Sequence, residues 1–262
     1  MEALKKIYHW SGTWTGTIVI VLVIISFIIQ SFMIPSGSMK NTLLVGDMLF
    51  VKKFTYGVPV PRIPWIEQQI LPDFKGNGHL IEGDGPSRGD IVVFRYPHDE
   101  KIHYVKRCVA VGGDILFLQN KDLYIHPHEG NDFVKENYKG YESVVYDDKI
   151  FVKNPYKKLH PGIHNDPSVT RITSSHIQLF DFMPIIVPKN EYFMMGDNRD
   201  HSNDSRFWGT VPYKFIVGTP WLIYFSWDEN KQIRWDRMFK TPESLENSKY
   251  TQEKINHTQG IY

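Results

Sequence analysis

The 262 residues suffice for one large or two modest domains with a real core. With 30 Lys and Arg against 29 Asp and Glu, the net charge is +1, so the balance carries no nucleic-acid footprint and a polyanion partner is excluded as the default. The single cysteine, Cys108, excludes an internal disulfide and any multi-cysteine zinc site.

Residues 1–17 are largely polar and carry Lys5 and Lys6. Behind them residues 18–34 read IVIVLVIISFIIQSFMI, at the short end of the roughly 17–25 residues that cross a bilayer. Trp10 and Trp14 suit the interfacial belt, where an indole keeps its N–H wet while burying its ring. A buried core helix would show a polar stripe, and none exists. A cleavable signal peptide is the stronger rival, because Ser36-Gly37-Ser38 puts small residues two apart behind the run. The run is longer than a usual signal-peptide core, so the reading is a permanent transmembrane anchor over 18–34. Lys5 and Lys6 favour a cytoplasmic segment 1–17 and an extracytoplasmic remainder, a bias that Lys40 weakens from the far side. No second run of that length follows, so a single-pass topology is expected.

Residues 48–54 are rich in β-formers and predict a strand. Pro59, Pro61, Pro64, Pro72, Gly76, Gly78, Gly83, Gly85 and Pro86 make 59–86 mostly loop. Strands follow over 90–95, stopped by Pro97, and over 103–111, ended by Gly112-Gly113-Asp114, with residues 115–118 starting a hairpin partner. Between 119 and 188, short strand-like pieces at 123–126, 149–152, 177–180 and 185–187 predict a small inserted β subdomain. Residues 192–195 return to strand, a polar loop follows, and 215–227 is a last strand region. Within it, residues 221–225 are apolar without alternation, which fits either a doubly buried strand or, with Phe207 and Trp208, an aromatic patch that dips into a bilayer. The tail, 236–262, is polar; residues 241–243 offer a helix start with little apolar surface to dock it. The main domain is thus expected over 35–118 and 189–235. The soluble part is mainly β.

A serine hydroxyl is too weak an acid to attack an amide unaided and needs an adjacent base. A neutral lysine serves if burial lowers its pKa; two units take about 2.7 kcal/mol of differential solvation. In Tyr104-Val105-Lys106-Arg107-Cys108-Val109, alternation puts Lys106 on one face with Tyr104 and Cys108, and Arg107 on the other. Taken alone, the segment favours an edge-strand lysine that guards solubility. A calcium reading of residues 197–204 fails, because Arg199 and His201 replace ligands and Trp208 stands where the closing Glu belongs. His126, His128, His160 and His164 read as loop histidines, since proline breaks any helix that would align the second pair. Cys108 reads as a small core residue.

Four motifs change the weighting. PSGSM (residues 35–39) directly behind an anchor, RGDIVVFRYP (88–97), YVKR (104–107) ahead of VGGD, and MGDNRDHSNDSRFWG (195–209) occur together and in order. That set closely resembles the type I signal peptidases, membrane-bound serine proteases that remove signal peptides from exported proteins. The resemblance covers the anchor and nearly all of the main domain, but neither the inserted segment nor the tail. It implies a signal-peptidase-like antiparallel β domain with an inserted smaller β subdomain, preceded by one N-terminal transmembrane helix. It implies Ser38 as nucleophile, Lys106 as general base, and Ser36 with the Ser38 backbone N–H as oxyanion hole, each such donor being worth roughly 3–4 kcal/mol. Ser202 matches the serine that orients the lysine, and Asp197, Asp204 and Arg206 match supporting residues. Ile34, Pro35, Met39, Leu43 and Val105, with Tyr104, match the walls of shallow pockets for small side chains. Cys108 departs from the family's frequent alanine. The expected activity is cleavage of preproteins after a small residue, at the outer (periplasmic) face of the cell membrane. Preproteins and the bilayer are then the partners, and no metal, organic cofactor or nucleic acid is implied. A soluble self-cleaving Ser–Lys regulator would need a DNA-binding domain in place of the anchor. A non-enzymatic anchored β-protein would leave Lys106 and the two-serine loop without a purpose.

Overall fold

A computed structural model describes residues 2–63 and 67–246. Pro64 of the proline-rich stretch and the last part of the expected tail, residues 247–262, lie outside the described residues.

Helix α1 spans Glu2–Ser11 and helix α2 Trp14–Phe27. Thr13 caps α2 by accepting the Gly16 N–H at 3.1 Å. A Cβ on Gly16 would stand 2.0 Å from the Trp10 carbonyl oxygen, so only glycine lets the second helix start so close to the first. Side chains 18–24 of α2 are exposed and apolar all round. The helix then ends earlier than the hydropathy implies. Strand β1, Ile29–Met33, pairs antiparallel with β2, Asp47–Lys52, from Ile29 opposite Lys52 to Met33 opposite Met48. The anchor expected over 18–34 is corrected accordingly: its last third is sheet, because the extended segment can satisfy its backbone groups on β2. No helix among the described residues is long and apolar enough to cross a membrane.

The strands that follow are β3 (Gly57–Pro59), β4 (His79–Glu82), β5 (Ile91–Tyr96), β6 (Asp99–Val111), β7 (Ile115–Gln119) and β8 (Asp122–His126). After helix α3 (Asn131–Asn137) come β9 (Ser143–Tyr146), β10 (Lys149–Lys153), β11 (Phe182–Ile186) and β12 (Glu191–Met195). Helix α4 (Ser205–Trp208), β13 (Val211–Pro212), β14 (Ile216–Ser226) and helix α5 (Pro242–Glu246) complete the described chain. A seven-stranded sheet runs β1-β2-β14-β5-β6-β12-β13, and a five-stranded sheet runs β11-β7-β8-β10-β9. Their ladders are antiparallel, which short turns allow between β5 and β6 and between β7 and β8. The 119–188 segment supplies most of the smaller sheet. Its piece at 177–180 is a 3-10 turn, and β9 had no counterpart in the sequence reading. The loop expected over 59–86 contains β4, which pairs with β3.

β6 divides the core, with a register break against β12 opposite Val109. Val109 and Ala110 join Leu116, Leu123 and Ile125 between the two sheets, while Cys108 packs with Phe94, Met194 and Ile216. A third cluster, Ile34, Met39, Leu43, Val51, Val93, Val217 and Ile223, lies beneath the turn that carries Ser38. Residues 221–225 are not doubly buried: Ile223 is enclosed, while Trp221 faces outward with Lys52 Nζ 4.7 Å from its ring centre. Trp208 packs on Phe94 and Tyr96, so it is not a free member of such a patch. The tail also docks, against expectation. Leu245 enters the third cluster, and Arg237 and Glu246 are buried on charged partners that a hydropathy pattern does not reveal.

Candidate active site

Ser38 sits on a 3-10 turn, Gly37–Met39, in the connection between β1 and β2. That connection is closed by Ile34 N–H to Asp47 O at 2.9 Å and Gly46 N–H to Ile34 O at 3.0 Å. Buried Asp47 anchors its far end, accepting from Leu44 N–H (2.8 Å), Ser226 Oγ (2.7 Å) and Arg237 Nε and Nη2 (3.0 and 2.6 Å). A hydroxyl on so braced a turn loses little freedom when a partner binds.

Lys106 projects from β6 with its Nζ 2.7 Å from Ser38 Oγ. The same Nζ donates to the Val105 carbonyl at 3.0 Å and lies 5.1 Å from the centre of the Tyr104 ring. Only 4% of Lys106 and 8% of Ser38 are exposed, so bulk water competes weakly for the contact. Burial brings the Lys106 pKa down to about 8; Asp204 and Asp197 oppose the drop, and Arg206 assists it. A neutral amine is therefore accessible in mildly alkaline solution, and its lone pair can take the serine proton.

The loop after β12 ties nucleophile and lysine together. Asn198 donates its backbone N–H to Ser38 O at 3.1 Å and its side-chain amide to Gly37 O at 3.0 Å. A Cβ at Gly196 would stand 2.5 Å from Ser38 O and 2.3 Å from Ser202 Oγ, so no other residue fits there. Fully buried Asp197 accepts from Thr42 Oγ1 (2.6 Å) and from Arg107 Nε and Nη2 (2.8 and 2.7 Å). It thereby joins the serine loop to the residue next to Lys106. Burial works against its charge, but Arg107 outweighs that and holds its carboxyl below the usual range. Asp204 is likewise buried yet held low by Arg206, whose Nε and Nη2 both lie 2.8 Å away, while the carboxylate also accepts the Gly196 N–H at 3.0 Å.

The other expected residues divide. Ser36 is exposed beside the nucleophile, Oγ to Oγ 3.4 Å. Ser202 is buried nearby; its hydroxyl lies beside the Asp204 carboxylate, whose charge it favours, in a contact too loose for a full hydrogen bond. The expected bond to Lys106 is not made; Nζ bonds Ser38 and Val105 instead. Pro35 is exposed and Tyr104 and Val105 half-buried, so they can face a substrate. Ile34, Met39 and Leu43 instead pack in the cluster beneath the turn; Met39 and Leu43 present 1% and 0% of their surface and act as a floor rather than a wall. Sequence reasoning missed Arg107, Thr42, Asn198 and Glu246. The available signal was an arginine in the middle of a β-branched strand, which must find an anionic partner once buried.

Two sheet edges open beside the pair. β1 is the edge strand of its sheet, and β12 pairs with β6 only from Arg107 onward. Residues 103–106 of β6 therefore pair with β5 on one side and with no strand on the other among the described residues. The edges approach where the Phe32 and His103 rings lie 5.0 Å apart, and a cleft of about 570 Å³, lined by Ile24, Ile29, Phe32, Met33 and Phe50, adjoins them. The arrangement can hold an extended peptide by strand pairing. Elsewhere, Asp114, His128 and Glu129 bring possible metal ligands together, but the Arg88 guanidinium already bonds both carboxylates there.

The family model for signal peptidase, peptidase S26, matches residues 7–225. Signal peptidase I of Helicobacter pylori strain J99 is 46% identical, over 94% of this chain and 97% of that protein. Signal peptidase I of Pseudomonas aeruginosa is 36% identical, over 88% of this chain and 78% of that protein. The Rickettsia typhi enzyme of the same name is 32% identical, over 88% and 84%.

Proposed function

The chain belongs to the signal peptidase family, peptidase S26, and from that membership we propose that it cleaves N-terminal signal peptides from exported preproteins with Ser38 as nucleophile and Lys106 as base. The observation that carries the reading is the buried 2.7 Å contact between Lys106 Nζ and Ser38 Oγ, with the amine's pKa brought down to about 8.

The preprotein lies extended between the free edges of β1 and β6, its scissile carbonyl carbon beside Ser38. Neutral Lys106 takes the Ser38 proton as Oγ adds to that carbon, and the oxyanion accepts from the Ser38 backbone N–H and the Ser36 hydroxyl. The Lys106 ammonium then gives its proton to the departing amine of the mature protein, leaving the signal peptide as an ester on Ser38. Neutral again, Lys106 deprotonates a water that attacks the ester, and returns that proton to Ser38 as the signal peptide leaves. Pro35, Tyr104 and Val105 crowd the residue before the cut, which favours a small side chain.

Membrane attachment belongs to the same proposal. Over residues 18–24 helix α2 offers apolar side chains all round, with Trp14 at its start and Trp10 near the end of α1. Its 14 residues rise about 21 Å, short of a hydrocarbon core of about 30 Å, so local thinning or flanking residues make up the difference. Lys5 and Lys6 favour a cytoplasmic N-terminus, with the β domain on the extracytoplasmic face of the cell membrane. Because β1 follows α2 directly, Ser38 is held close to the bilayer surface, where signal peptides emerge.

Ser38→Ala and Lys106→Ala are each expected to abolish cleavage of a preprotein in a gel-shift assay, while Cys108→Ala retains it. Continued processing by Ser38→Ala would retire the reading.

A further inference from the structure

Glu246, at the end of the short helix α5, is 2% exposed. One of its carboxylate oxygens bonds Arg107 Nη2, and the other lies 2.8 Å from His160 Nδ1. Arg107 follows Lys106 on β6, and the same Nη2 reaches Asp197, which holds Thr42 on the serine loop. A second grip lies nine residues earlier, where Arg237 Nη2 donates to the Thr42 carbonyl at 3.1 Å and to Asp47 at 2.6 Å. Between the two, Leu245 packs into the cluster beneath Ser38, with Met39 and Leu43. A polar tail segment thus holds both the strand of the base and the loop of the nucleophile, yet none of these residues touches the cleft.

We infer that Glu246 is a positioning residue for the hydrolysis: by fixing Arg107, and through it Asp197, it sets the separation of Ser38 and Lys106. The inference rests on the Ser38–Lys106 reading. Without the Glu246 anion, Arg107 keeps Asp197 and the Gly89 carbonyl, 2.7 Å from its Nη1, but loses its partner on α5, and the β6 backbone that aims Lys106 gains freedom. Lys106 itself is faced by Asp197, Asp204 and Arg206 on the loop and by Ser38 and Tyr104, so Glu246 acts on it through Arg107 and Asp197 and not as a direct charge partner. A loss of position therefore lowers kcat with the acid limb unmoved, whereas a change in the charge around Lys106 would move the limb.

The test compares full-length wild type, Glu246→Gln, Glu246→Asp and Ser38→Ala on one preprotein, measuring kcat and KM across pH. Glu246→Gln is expected to lower kcat roughly 10- to 100-fold, the scale of a misplacement near 1 Å, with KM little changed and the acid limb of the profile left in place. Glu246→Asp keeps the charge on a shorter arm, so kcat falls while the acid limb stays in place. A wild-type kcat in Glu246→Gln, with Ser38→Ala inactive, overturns the inference and leaves the dyad standing. An active Ser38→Ala overturns both. If Glu246→Gln does not fold, Glu246→Asp decides: a lowered kcat with an unmoved limb supports the inference, and a wild-type kcat overturns it.

Discussion

At the scale of single residues, the site depends on two groups held against their solution preferences. Lys106 is kept out of water beside a hydroxyl, and Gly196 keeps the space between Ser38 O and Ser202 free of side chain. Gly196→Ala puts a Cβ 2.5 Å from the Ser38 carbonyl, a backbone atom that cannot rotate aside, so the serine turn must shift. The expected outcome is a loss of kcat of roughly 100-fold, with the thermal midpoint lowered by only a few degrees. Steady-state kinetics with a melting curve check this, and a wild-type kcat would contradict it. That Ser38 and Lys106 would meet was expected from four motifs in order, PSGSM, RGDIVVFRYP, YVKR and MGDNRDHSNDSRFWG, and no one of them alone sufficed. The missing Ser202–Lys106 bond was not legible, because a hydroxyl's partner depends on rotamers and not on residue type.

At the scale of elements, the differences between expectation and structure share one cause. Hydropathy reports apolar surface, whereas several boundaries here are set by backbone pairing and buried charge. Residues 29–33 are apolar enough to extend a membrane run, but they complete the edge of a sheet. The tail looks undockable because it lacks apolar residues, yet its charges meet buried partners at Asp47 and Arg107. Arg237→Ala tests how much that docking matters. It strips a fully buried carboxylate of its bidentate cation and leaves Ser226, Leu44 and the more distant Arg234 as partners. A destabilisation of about 3–5 kcal/mol in denaturant unfolding is expected, since breaking a buried pair leaves its charge uncompensated. A change under about 0.5 kcal/mol, the scale of ordinary surface substitutions, would show that the tail does not brace the serine loop.

At the scale of the molecule, the seven-stranded sheet brings Ser38, on the β1–β2 loop, to Lys106, in the middle of the sequence-distant β6, while the β12 loop packs against the serine turn. The mainly antiparallel β character was readable from strand-length runs punctuated by Gly and Pro. The strand order was not, because β14 inserts between β2 and β5 through long-range pairing that no local pattern encodes. The central claim, that a buried amine activates Ser38, bears directly on kinetics. Lys106 accepts a proton only when neutral, and burial sets its pKa at about 8, so kcat/KM for a preprotein should rise with pH through that value. Below it the amine is protonated and the serine keeps its hydrogen; above it the rate levels off. The most direct test is the pH dependence of kcat/KM on an intact preprotein. An acid limb near 8 is predicted, and a limb near the ordinary histidine value of about 6.5, or none at all, would contradict the account.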